Sequence, residues 1–153
     1  MRRWSELAER VAATTRTSEK TRLIAEHLRG LPPDELAPTV HFLSGRPFAE
    51  GDVRAAGIGW AAIAATVTEL TGADADALRA AYDRSSDLGT AVGELLASAD
   101  RGDGDGAPPS VADASAAFAA IAAAASAAER RRRLAALLGA VDPTSAKYLV
   151  RIL

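Results

Sequence analysis

Apolar residues recur along this chain at spacings of three and four and never alternate over the length of a strand, so the pattern predicts helices throughout. Trp4, Leu7, Ala8 and Val11 form the first stripe and predict a helix over 4–13. After Thr14-Thr15-Arg16, Thr17 is placed to cap a second helix, with Glu19 in its first turn, Leu23, Ile24 and Leu28 on one face, and Gly30 at its end. Leu31-Pro32-Pro33 is a connector. Asp34 is then expected to cap a third helix through Leu43, with Pro38 in the first turn, where its missing N–H costs least. Leu36, Val40 and Leu43 are its expected buried stripe. A loop follows, from Ser44-Gly45-Arg46-Pro47-Phe48 to Gly57-Ile58-Gly59. Further helices are predicted over 60–70, closed by Thr71-Gly72, after Asp74 with Leu78, Ala81 and Tyr82, and after Asp87 with Leu88, Val92, Leu95 and Leu96. Gly89 and Gly93 lower the propensity of the last of these. Residues 100–109 are rich in Asp, Gly and Pro, a linker expected to be mobile and to bury nothing. Its Asp-x-Asp spacing lacks the glutamate that a calcium loop needs at position 12. Beyond it, helices are expected over 110–127, 129–139 and 143–153, the last started by Asp142 with Pro143 at its first position.

The chain echoes itself at a shift of 110 residues. Ile24 meets Leu134, Leu28 meets Leu138, Leu31 meets Val141 and Pro33 meets Pro143. Val40 meets Val150, Phe42 meets Ile152 and Leu43 meets Leu153. Both copies read as helix, proline-containing turn, helix. The first copy continues into a glycine-containing loop and the second stops at Leu153, so the chain is expected to be a fragment of a longer protein. This divides it into a first helical half over 1–99, the linker 100–109, and an incomplete second half over 110–153.

Composition supports the all-α reading. The 153 residues are 48% hydrophobic but only 5% aromatic, so the core is mostly Ala, Leu, Val and Ile. With no cysteine there is no disulfide framework and no thiolate metal site. No apolar run approaches about 18 residues and the N-terminus carries no secretory pattern, which predicts a soluble, cytoplasmic protein with no membrane partner. His27 and His41 stand alone, without a metal-ligand cluster, and no P-loop, Ser/His/Asp arrangement or paired-carboxylate site is visible. Net charge is −2, but unevenly distributed. Residues 1–30 carry seven Lys/Arg against four Glu, 31–100 four against eleven acids, and 101–153 seven against five. Two basic ends flank an acidic middle.

Several blocks together resemble the N-terminal DNA-binding domain of ATP-dependent DNA ligases of the bacterial and archaeal type. They are Thr17-Ser18-Glu19-Lys20-Thr21-Arg22-Leu23-Ile24-Ala25-Glu26-His27-Leu28, then Leu31-Pro32-Pro33-Asp34-Glu35-Leu36 through Phe42-Leu43-Ser44-Gly45-Arg46, then Gly57-Ile58-Gly59-Trp60 and Asp87-Leu88-Gly89. The closing Ala146-Lys147-Tyr148-Leu149-Val150-Arg151-Ile152-Leu153 resembles the segment before a Gly-x-Leu-Arg-x-Gly-Leu motif, which lies outside this chain. The resemblance implies a multi-helix domain with pseudo-twofold symmetry that grips nicked duplex DNA across the minor groove and helps a catalytic domain of the same polypeptide encircle it. It implies roles in replication, repair and recombination, a location with the nucleoid, and a monomer. It also implies ATP and Mg2+ for the parent enzyme, with neither held by this chain. The adenylated lysine of that family stands in Lys-x-Asp-Gly. Lys20 and Lys147, the only lysines here, are followed by Thr-Arg-Leu and Tyr-Leu-Val, so no catalytic residue is expected and the chain alone is not expected to ligate.

A sealing enzyme must accept any sequence, which favours contacts to the phosphate backbone. Free N–H groups at helix starts and glycines that let the main chain come close supply such contacts. On that logic one DNA-binding place is expected at Gly45, Arg46, Gly57 and Gly59 with Thr17, Ser18 and Lys20, assisted by Arg16. Its partner in the second copy is expected at Thr144, Ser145, Lys147 and Arg151. Arg130–Arg133 reads as a solvated helix face, since four consecutive residues span a whole turn. The competing reading is a helical scaffold or protein-interaction module, favoured by the acidic net charge and the apolar content.

Overall fold

A computed structural model describes residues 1–99 and 107–153. Among these every regular element is α-helical: α1 (Arg2–Ala13), α2 (Thr17–Arg29), α3 (Pro33–Leu43), α4 (Trp60–Thr71), α5 (Ala75–Ser85), α6 (Leu88–Ser98), α7 (Val111–Ala122), α8 (Ala127–Gly139) and α9 (Pro143–Ile152). The expected linker lies, for residues 100–106, outside the described residues.

Local chemistry explains most boundaries. Asp74 accepts the amide of Ala77, Asp87 that of Thr90, and Asp142 that of Ser145, each satisfying a donor that the first turn leaves free. Gly72 ends α4 in the left-handed region, at φ 72°. Four expectations are corrected. Thr17 is the first residue of α2 rather than its cap; the N-cap is Arg16, and no side chain bonds there. The N-cap of α3 is Pro32, with Asp34 inside the first turn, because Pro33 already holds the backbone angle a first helical residue needs. Pro38 therefore falls in the second turn, where it denies the carbonyl four residues back a donor. The expected helix over 110–127 stops at Ala122: Ser126 and Glu129 form a fresh start, with Ser126 accepting from the Glu129 amide and the Glu129 carboxylate accepting from Ala125.

The two copies found in the sequence coincide in space-filling role as well as in register. Shifted by 110, α2 falls on α8 and α3 on α9, while α1 and α7 are helices of equal length before them. The packing is reciprocal: α1 lies on α2 and α9, whereas α7 lies on α8 and α3. Each copy thus lends its last helix to the other. An aromatic chain crosses this junction edge to face, with ring centroids 5.5 Å apart for Phe118–Phe42, 5.8 Å for Phe42–Trp4 and 5.7 Å for Trp4–Tyr148. Helices α4–α6 complete the core, α4 against α8 and α6 against α9, so one contiguous apolar cluster contains residues of both halves.

Gly89 and Gly93, which weaken α6 as an isolated helix, are what let it meet α9. A Cβ on Gly89 would sit 2.3 Å from the Lys147 carbonyl oxygen, and one on Gly93 3.1 Å from that of Pro143. The stripe expected on α3 is the remaining correction. Leu36 is 39% and Val40 50% exposed, and the buried residues are Thr39 and Phe42, which face α7. At the matching positions of α9, Ala146 and Val150 are buried, and α9 packs against both α6 and α1.

His27 lies half-buried on α2 with its Nε2 buried and unpartnered, and burial holds its pKa below the ordinary histidine value. Unfolding frees the ring to take a proton, so the unfolded state gains as pH falls through about 6.5. Thermal melts from pH 8 to 5.5 should therefore show a loss of stability that His27→Gln reduces; identical pH slopes in both proteins would contradict this.

Candidate nucleic-acid interface

The residues expected to meet DNA divide into two groups with different surroundings. At the start of α2, Arg16, Thr17 and Ser18 are exposed and Lys20 is half-buried, with no carboxylate among the described residues paired to Arg16 or Lys20. Helices α5–α9 each begin on an Asp or Ser side chain that occupies an amide of the first turn. The starts of α2 and α4 have no such cap, so their first amides stay available to an outside acceptor.

The loop over 44–59 begins with a tight helix ending. The amide of Gly45 donates to the Phe42 carbonyl and that of Arg46 to His41, which puts Gly45 at φ 74° and turns Arg46 outward. Gly45 thus has a structural duty in ending α3. Arg46 is exposed, with Glu50 3.4 Å away. Arg54 is held by both oxygens of Asp52, at 2.6 Å for the closest contact, and lies over the Phe48 ring at 4.5 Å. The same guanidinium holds the Asp52 carboxyl down to about 2. Phe48 is buried and anchors the loop. Arg46, Gly51, Arg54, Gly57, Gly59 and Leu153 line a shallow depression of about 540 Å3 beside it.

Gly57 and Gly59 differ. Gly57 has φ 62°, and a Cβ there would meet the Arg130 guanidinium, 3.4 Å from Nη1. Gly59 is the N-cap of α4 with extended backbone, at φ −105° and ψ 176°, and no atom of the described residues lies within 4 Å of an added Cβ. Nothing among the described residues requires glycine at that position.

The second group is engaged internally. Ser145 is fully buried, its hydroxyl donating to Asp142 at 2.6 Å and sharing a hydrogen bond with Ser5 at 3.0 Å. Lys147 is paired with Glu9 on α1, which draws the Glu9 carboxyl below its ordinary range. Arg151 pairs with Asp87 at 3.0 Å, and both cations lie over the Tyr148 ring. Thr144 is half-buried. These side chains tie α9 to α1 and α6. Sequence reasoning had no signal for that, because the partners Glu9 and Asp87 are far away in the chain. The Arg130–Arg133 run is likewise resolved only in three dimensions: Arg131 bonds Glu69, Arg133 bonds Glu129, Arg132 is exposed, and Arg130 faces Gly57. Among the described residues there is no acid or histidine cluster able to hold a metal, and no helix long and apolar enough to cross a membrane.

The sequence matches the family described as DNA ligase N terminus over residues 1–153. The chain belongs to that family. Among similar proteins are a probable DNA ligase of Opitutus terrae, 35% identical over 103 residues, and one of Koribacter versatilis, 36% identical over 88 residues. These alignments cover 67% and 58% of this chain but only 10% and 15% of the relatives. A DNA ligase of Methanocella arvoryzae is 34% identical over 90 residues, 59% of this chain and 16% of the relative. The chain thus spans a small N-terminal share of the ligases it resembles, and the all-helical fold agrees with the family.

Proposed function

We propose that this ligase N-terminus binds nicked duplex DNA through its phosphate backbone, without reading base sequence, and so holds the nick for a catalytic domain on the same polypeptide. The observation that carries this reading is Gly59: glycine stands at an uncapped helix start where the fold itself has no use for it, beside Gly57 and the exposed Arg46. A side chain there would cost the protein nothing but would keep a phosphate from the free amides of α4. Arg16, Thr17, Ser18 and Lys20 offer a similar uncapped start on α2. Thr144, Ser145, Lys147 and Arg151 occupy the matching place in the second copy, where contact with DNA requires phosphates to replace Asp142, Glu9 and Asp87 as partners. In this reading the parent is an ATP- and Mg2+-dependent ligase of the cytoplasm, acting as a monomer in replication, repair or recombination. A second reading is a protein-interaction module, favoured by the exposed Leu36 and Val40.

The test is fluorescence anisotropy with a nicked duplex and its intact counterpart. Affinity is expected to fall steeply between about 50 and 200 mM salt, as counterion release by several phosphate contacts requires. Gly59→Leu is expected to weaken binding about tenfold, the loss of one or two charge-assisted contacts, while the melting temperature stays unchanged. Absence of binding at low salt would leave the interaction reading in its place.

A further inference from the structure

The loop 44–59 carries two arginines, Arg46 and Arg54, and two acids beside them, Glu50 and Asp52. Its own charge is therefore balanced, which is a poor basis for holding phosphates. The extra cation comes from elsewhere. Arg130 brings its guanidinium up to Gly57: an added Cβ would be 3.4 Å from Nη1, 3.8 Å from Cζ and 3.9 Å from Nε. Its neighbours Arg131 and Arg133 are each neutralised by a glutamate, whereas no carboxylate among the described residues pairs with Arg130. In the internal echo, Arg130 on α8 is the counterpart of Lys20 on α2, 110 positions earlier. At Gly57 the loop that follows the first copy is thus met by a residue from the first turn of α8, in the second copy. The reason is the packing: α4, which the loop leads into, lies on α8.

We propose that Arg130 and the loop 44–59 form one composite phosphate-binding half-site built from both copies, and that Lys20 serves a different half-site. This rests on the backbone-binding reading above. Gly57 suits this place because its positive φ would strain other residues, while a Cβ there would only come into ordinary van der Waals contact with the guanidinium. Arg130 then presents its outer N–H groups beside the free amides at Gly59–Trp60, so one phosphate oxygen set is gripped by a charge and by main chain together. Arg46, turned outward at the other end of the loop, reaches a neighbouring phosphate of the same strand.

The test uses the full-length ligase and nicked duplexes carrying single neutral methylphosphonates, scanned across the nick. Arg130→Ala is expected to weaken binding about three- to tenfold and to lower the salt slope by about one, whereas Arg130→Lys keeps the slope and Arg132→Ala changes neither. Thermal melts of each variant check that the fold is intact. The methylphosphonate that makes Arg130→Ala silent should lie next to the one that makes Arg46→Ala silent, and apart from that of Lys20→Ala. If the Arg130 and Lys20 phosphates coincide, or if Arg130→Ala binds like the parent, the composite half-site is wrong while the backbone-binding reading survives. If the full-length protein binds no DNA, both fall.

Discussion

Gly89→Ala is expected to destabilise the protein by about 3 kcal/mol, although the same change on an open helix face would stabilise it by up to about 1 kcal/mol. The sign reverses because the new methyl group would lie 2.3 Å from the Lys147 carbonyl oxygen and 2.8 Å from Arg151 Cγ. Main chain cannot rotate away as a side chain can, so α6 and α9 would have to separate. That separation would loosen the Arg151–Asp87 pair and the hydrogen bond from Arg151 to Thr90. Gly93→Ala should cost less, since its nearest atoms are 3.1 and 3.2 Å away. Urea unfolding of both variants gives the order directly. A Gly89→Ala protein as stable as its parent would mean that α6 does not sit on α9 as described.

The second large effect is expected at Phe118. Its ring is fully buried on α7 and meets Phe42 of α3 edge to face. Phe118→Ala removes the ring and leaves a cavity, an expected loss of about 3–5 kcal/mol. Because the ring joins the last helix of the first copy to the first helix of the second, its removal should lower the stability of both copies together. Near-ultraviolet and far-ultraviolet circular dichroism should then report one shared transition moved to lower urea. Two separate transitions, with only one displaced, would show that the copies fold independently.

These two positions also show where sequence reading ends. The starts at Asp74, Asp87 and Asp142 and the stop at Gly72 were legible because each depends on atoms within one turn of helix. The echo at 110 residues was legible because two copies must repeat the same apolar register, and the helix bounds bear it out. The stripe on α3 misled, since periodicity says that a helix has an apolar side but not which side finds a neighbour. Thr39 and Phe42 are buried on the helix that packs on α7, while Leu36 and Val40 stay exposed. In the candidate interface, the glycines and Arg46 were recognisable from local pattern. Arg130 was not, because in sequence it is one of four consecutive arginines, and only its height on α8 beside Gly57 sets it apart.

By itself, then, the chain's sequence determined its helices, their order, its internal repetition and its ligase family, all of which follow from short-range capping, periodicity and ordered blocks. Tertiary structure alone decided that each copy hands its last helix to the other, that Lys147 and Arg151 spend their charge on Glu9 and Asp87, and that Gly57 lies against Arg130. The physical reason is common to all three. A charge or a small residue acquires its role from whatever lies within a few ångströms, and which segments come that close is settled by burying one shared core rather than by neighbours along the chain.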